Sequence, residues 1–256
     1  MLAEDPAEAV DKAEEFLKEG SLSTYYDEVA LPGLRLAQSD IVRGSLDRAQ
    51  SEKIKTAVVE LVDDLVDYDD GKLASGTTHD AEAAAALETV DDAIPDLPVF
   101  EKEELAPGWQ AGTPVLCVAG RGPLDEAVAI MLAQLLEKHG LGARAEGADA
   151  VAISNIARLE TSGVVMVCLS YLDASSRAHM RYTIRRMRRK LPNAQILLGC
   201  WTADVDPTTL LETTKPDAVA PTLRDAVRIC LEAAGNTAGS SVPTEVRPPG
   251  ANANAA

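Results

Sequence analysis

The chain has 256 residues, 46% of them hydrophobic, and a formal net charge of −17, material enough for one large domain or two small ones with buried cores. The candidate span from Val164 to Leu172 falls far short of the roughly 20 residues that cross a bilayer. The first residues lack the basic start and apolar stretch of a secretory signal, and the acidic balance speaks against a nucleic-acid partner, whose phosphates need a basic face.

The charge is unevenly spread. Residues 1–110 carry 27 acidic and 9 basic side chains, and residues 111–256 carry 14 and 15. Two structural units are therefore expected: an acidic helical cap over 1–90 and, after a linker at 91–112, a second domain over 113–234. Residues 235–256, rich in Ala, Gly, Asn and Pro, read as a disordered tail.

In the cap, Pro6 suits a helix start, and Val10, Ala13, Phe16 and Leu17 keep helical spacing. A second helix follows Gly20-Ser21, with Tyr25, Tyr26, Val29, Ala30, Leu34, Ala37 and Ile41 in one apolar band. Pro32 should kink it, because it removes a backbone donor and crowds the preceding turn, and Gly44 should stop it. Asp47 can cap a third helix carrying Ile54, Val58, Leu61, Val62 and Leu65. Residues 69–80 read as a loop, and an alanine-rich stretch near 80–90 reads as a short helix before the prolines of the linker.

The second domain alternates strands at about 114–119, 142–146, 163–170, 194–200 and 217–220 with helices at about 123–139, 148–158, 174–191, 207–214 and 221–234. Short connections throughout indicate an α/β, flavodoxin-like doubly wound parallel sheet of five strands in the order 2-1-3-4-5. Such sheets place ligands at the carboxyl ends of their strands, beside the point where strand order reverses. Three loops qualify: Gly120-Arg-Gly-Pro-Leu-Asp125, Ser170-Tyr-Leu-Asp-Ala-Ser-Ser176 and Gly199-Cys-Trp-Thr-Ala-Asp204. The candidate ligand-binding residues are Gly120, Arg121, Gly122, Ser170, Leu172, Gly199, Trp201 and Thr202, with Tyr25 and Tyr26 contributed from above by the cap. Small residues let a ligand approach the backbone, and Arg121 between two glycines could clamp an anion. The first loop also has a plain structural reading as a strand-to-helix turn with Pro123 at the first helical position.

The segment Tyr25-Tyr-Asp-Glu-Val-x-Leu-Pro-x-Leu34, followed by an α/β domain, resembles cobalamin-binding modules. In that family a Ser-x-Leu motif ends the third strand beside the nucleotide tail of the cofactor, and Ser170-Tyr-Leu172 matches it; a Gly-Gly pair ends the fourth strand, where this chain has Gly199-Cys200. The family's D-x-H-x-x-G motif, source of the lower cobalt ligand, is missing, because the first loop contains no histidine. His79, His139 and His179 read as surface or boundary residues away from the strand tips. The resemblance therefore implies base-on cobalamin, another ligand, or a fold retained only for protein contact with no cofactor at all. Separately, Ala7-Glu-Ala-x-x-x-Ala-Glu-Glu-Phe-Leu-Lys18 and Leu22-Ser-Thr-Tyr-Tyr-Asp-Glu-Val-Ala-Leu31 resemble the soluble carboxy-terminal extension of bacterial permeases of the autoinducer-2 exporter type. This implies a regulatory part of a membrane transporter, with the permease as partner.

Four cysteines spaced by tens of residues form no C-x-x-C pattern and read as reduced core thiols of a cytoplasmic protein, with a Cys168–Cys200 redox pair as the alternative. The stretch after the third strand carries Arg177, Arg181, Arg185, Arg186, Arg188, Arg189 and Lys190 around an apolar stripe of Met180, Ile184, Met187 and Leu191. That face is either simply solvated or docks on an acidic cap or anionic lipid. Neither a G-x-S-x-G elbow nor zinc spacing occurs, and Gly120 and Ser170 stand where a phosphoacceptor receiver needs acids. Two readings follow. One is a non-catalytic sensory module holding a small ligand between cap and strand tips, with no metal; the other is an interaction scaffold whose crevice is filled by its own side chains. A corrinoid carrier is a third, disfavoured by the missing histidine, and a homo-oligomer is compatible with all three.

Overall fold

The computed structural model describes residues 6–70, 97–174, 176–202 and 205–235. The helix expected near 80–90, most of the loop before it with His79, the linker through residue 96 and the tail beyond Gly235 lie outside the described residues.

The amino-terminal part is helical, with α1 at Pro6–Phe16, α2 at Leu22–Tyr25, α3 at Leu31–Arg43 and α4 at Arg48–Asp64. Pro32 does not break the second helix. A π turn over Tyr26–Ala30 joins α2 to α3, the Leu31 N–H reaching back to the Tyr26 carbonyl. Because proline lacks an N–H and crowds the carbonyl four residues earlier, a wider turn just upstream absorbs the misfit. Gly44, at a φ of +78°, ends α3 in the left-handed conformation that glycine adopts without penalty. Asp47 and Gln50 close a reciprocal capping box on α4, at 2.7 and 2.8 Å.

Five strands, β1 Val115–Ala119, β2 Ala143–Glu146, β3 Met166–Tyr171, β4 Gln195–Cys200 and β5 Ala218–Ala220, pair in parallel in the order 2-1-3-4-5. The helices between and after them are α5 Pro123–Lys138, α6 Arg177–Lys190, α7 Pro207–Thr214 and α8 Leu223–Gly235. Strand side chains alternate between two cores. Val115, Cys117, Met166, Cys168 and Leu197 pack with α5, α8 and the cap. Leu116, Val118, Val167, Leu169, Ile196 and Leu198 pack with Met180, Ile184 and Met187 of α6 and Leu210 of α7.

The stretch 148–158 departs from expectation. It forms a short 3-10 turn at Ala148–Val151 and then irregular turns. Asn155 Nδ2 donates to the Asp149 carbonyl at 3.0 Å and Arg186 donates to the Val151 carbonyl. Backbone acceptors that a helix would use internally are thus taken by side chains.

The cap lies along α5 and α8 on one side of the sheet and touches the strand tips at its edge. Gln134 of α5 donates to the Val62 carbonyl at 2.6 Å and accepts from the Tyr26 hydroxyl, and Lys138 donates to the Val66 carbonyl. Asp27 accepts the first two N–H groups of α8, from Leu223 at 2.8 Å and Arg224 at 3.0 Å. Arg35 Nε donates to the carbonyl of Trp201 beyond β4. His139, expected at a boundary, is fully buried, with Nε2 2.9 Å from Asp70 and Nδ1 2.9 Å from the Pro98 carbonyl. Both partners are distant in sequence, so nothing local to His139 announced its burial. The basic helix α6 packs on the opposite side of the sheet, and so does not dock on this chain's own cap.

Candidate functional site

Parallel pairing aligns the three candidate loops at one edge of the sheet, as the tips of β1, β3 and β4. Their side chains nevertheless divide between its two sides. On the cap side, Ser170, Leu172, Gly199 and Trp201 come together. Gly199 and Trp201 lie two residues apart and share a face, and a Cβ added at Gly199 would overlap Cζ2 and Cη2 of the Trp201 ring. The ring is fully buried, packed in the core that the cap and sheet share. Ser170 Oγ and Trp201 Nε1 are both buried and find no hydrogen-bond partner among the described residues. Leaving such groups unsatisfied costs about 1–3 kcal/mol each.

Tyr25 and Tyr26 do not reach over the tips. Tyr25 packs against Phe16 with ring centroids 5.6 Å apart, and the Tyr26 hydroxyl is spent on Gln134. Burial, with the neighbouring Tyr25 and Asp70 adding to it, pushes the Tyr26 hydroxyl well above the ordinary tyrosine range, so it serves as a neutral donor.

On the other side, the Tyr171 ring stands against Gly120, where a Cβ would overlap it. Burial pushes the Tyr171 hydroxyl up to about 12. That hydroxyl lies 3.3 Å from Nδ1 of His179, so this histidine stands beside a strand tip after all. Arg121 reaches outward, 4.0 Å from the carboxylate of Asp173. Thr202 lies two positions beyond the last residue of β4, its hydroxyl 3.6 Å from Cys200 Sγ.

Asp125 joins the two loops and was not among the expected site residues. Its Oδ2 accepts from the Arg121 N–H at 2.8 Å and the Gly122 N–H at 3.4 Å, while Oδ1 accepts from Leu172 at 2.8 Å. Burial raises its carboxyl to about 6, against the lowering effect of those three donors. An acid three residues after the glycine that precedes α5 was the available sequence signal, being the helix-start position that reaches back to the loop.

Cys168 and Cys200 do not meet. Cys168 faces the cap side, 3.8 Å from Cys230 Sγ, and Cys200 packs on the α6 side. All four thiols are free and buried. Among the described residues no group of three or more His, Cys, Asp or Glu side chains could hold a metal ion, and no helix is long and apolar enough to cross a membrane.

No family model matches the chain, and no curated protein does. Among solved structures it is similar to a novel cobalamin-binding protein from Desulfitobacterium hafniense DCB-2, at a TM-score of 0.39 and 14% identity, covering 88% of this chain and 89% of that one. The α/β, flavodoxin-like architecture itself is given by the strand order and the parallel pairing.

Proposed function

We propose that this chain is a non-catalytic regulatory module that works through protein contact, its cap-side crevice closed by its own side chains. The observation that supports this best is the Trp201 ring seated on Gly199. Any ligand entering there would have to evict a fully buried indole. Cobalamin does not fit the arrangement as it stands. The open side of the fourth-strand glycine is taken by that ring, and the loop from Gly120 to Asp125 has no histidine to offer cobalt. The partner that the resemblance of residues 7–31 favours is a cytoplasmic face of a membrane permease, and the exposed arginines 181, 185 and 189 of α6 offer it a cationic contact.

Titration with cyanocobalamin and hydroxocobalamin into the high micromolar range, followed by visible spectrum and melting temperature, tests the closed crevice. Neither readout should change in a saturable way; a saturating spectral shift with a raised melting temperature would overturn the reading. Binding to a detergent-solubilised permease membrane domain should weaken when Arg181, Arg185 and Arg189 are replaced by Glu.

One observation favours a second, ligand-sensing reading: the unpartnered Ser170 Oγ and Trp201 Nε1 sit together beneath the cap. A small ligand that turned the indole outward could satisfy both groups. Saturable quenching of tryptophan emission that is lost in Ser170→Ala would support it.

A further inference from the structure

On the side of the sheet away from the cap, a cleft of about 660 Å³ opens at the tips of β1 and β3, lined by Gly120, Arg121, Asp149, Ser154, His179 and Arg186 among others. This is where the strand order reverses, with the helix after β1 packed on one face and the helix after β3 on the other. The volume falls within the range of small-molecule sites.

Its charge is concentrated and cationic in a chain of net charge −17. Arg186 donates one guanidinium N–H to the Val151 carbonyl and lies 4.3 Å over the Tyr182 ring. Its Nε is buried and has no partner among the described residues, none of whose carboxylates forms an ion pair with it. Arg121 is half-exposed, and the ion pair it makes among the described residues is a 4.0 Å contact with Asp173, a separation that contributes little in water. The Tyr171 hydroxyl lies 3.3 Å from Nδ1 of His179, so Nε2 is the ring nitrogen that this contact leaves for a ligand. The backbone N–H groups of Gly120, Arg121 and Gly122 are already spent on Ser170 and Asp125. An anion here would therefore be held by side chains. Asp149, the acidic residue in the lining, is exposed.

Beside the cations lies exposed apolar surface. Ile153 is 73% exposed and Tyr182 is 44% exposed. Both border a second depression of about 360 Å³, which shares Ile153 and Arg186 with the first. Two arginines and an imidazole next to an apolar shelf suit a phosphate attached to a planar ring.

We propose that this cleft binds a mononucleotide, its phosphate held by Arg121, Arg186 and His179 and its base laid on Ile153. The site is separate from the crevice beneath the cap and does not rest on the function proposed above. Isothermal titration of the full chain with AMP, adenosine and inorganic phosphate tests it. AMP should bind saturably, inorganic phosphate more weakly and adenosine not at all. Arg121→Ala, a change at an exposed side chain, should weaken AMP binding about tenfold, as loss of one charge-assisted contact does. Arg186→Lys keeps the charge but not the fork, and should weaken it too; a circular dichroism spectrum matching the wild type controls for folding. The proposal is overturned if millimolar AMP does not bind, if both variants bind like the wild type, or if inorganic phosphate binds as tightly as AMP.

Discussion

Replacing Trp201 by alanine is expected to cost about 3–5 kcal/mol of folding stability. The side chain is fully buried in the core shared by cap and sheet. A tryptophan buries on the order of 200 Å² of surface, worth ~5 kcal/mol at ~25 cal/mol per Å². Against this stands the unpartnered Nε1, whose burial costs about 1–3 kcal/mol, so the lower end of the range is expected. At about 2–4 °C per kcal/mol, the melting temperature should fall by roughly 10 °C. Trp201→Phe keeps a ring over Gly199 and removes the orphaned donor, so its loss and gain should cancel to within about 1 kcal/mol. Gly199→Ala should cost about 1–3 kcal/mol by overpacking in the wild type, yet almost nothing beside Trp201→Ala, because the ring it strikes is gone. Urea denaturation followed by far-ultraviolet circular dichroism gives all four corners of this cycle. If Trp201→Phe loses as much as Trp201→Ala, or if Gly199→Ala costs the same in both backgrounds, the ring does not close the crevice.

Three further outcomes follow from the polar contacts. Asp125 has a folded value of about 6 against an ordinary 3.8; the native state binds the proton more tightly, so this group's contribution is fully present below pH ~4 and is lost as pH rises through ~6, a span worth ~3 kcal/mol. Comparing the pH dependence of urea midpoints between wild type and Asp125→Asn should expose that slope, and parallel curves would contradict it. Gln134→Ala strands the buried Tyr26 hydroxyl and the Val62 carbonyl and should cost ~3 kcal/mol, read as a lowered urea midpoint at unchanged cooperativity. Asp27→Ala frees two N–H groups at the start of α8, for ~1 kcal/mol, and hydrogen exchange at Leu223 and Arg224 should accelerate while the middle of α8 stays protected.

The strands were readable because β1, β3 and β4 are buried on both faces and so appear as continuous apolar runs. The caps at Asp47 and Gly44 were readable because they are local chemistry. Gly199 and Trp201 could have been paired in advance, since alternate strand residues share a face. Tyr171 over Gly120 could not, because it depends on the register that sets Ala119 beside Ser170. The division of the candidate residues between two sides of the sheet follows from the same alternation: Ser170 and Leu172 point one way and Tyr171 the other. The stretch 148–158 misled because its carbonyls are claimed by Asn155 and by Arg186, the latter 35 residues from Val151. His139 misled because Asp70 and Pro98 meet it only in three dimensions.

Among the described residues the amino-terminal helices are fastened at several separate places, three of them being the side of α5 through Tyr26, Val62 and Val66, the leading end of α8 through Asp27, and the tip of β4 through Arg35. A body pinned at three points that do not share a line keeps no axis about which to swing. Force applied to one half of this molecule is therefore handed to the other rigidly, as through a bracket.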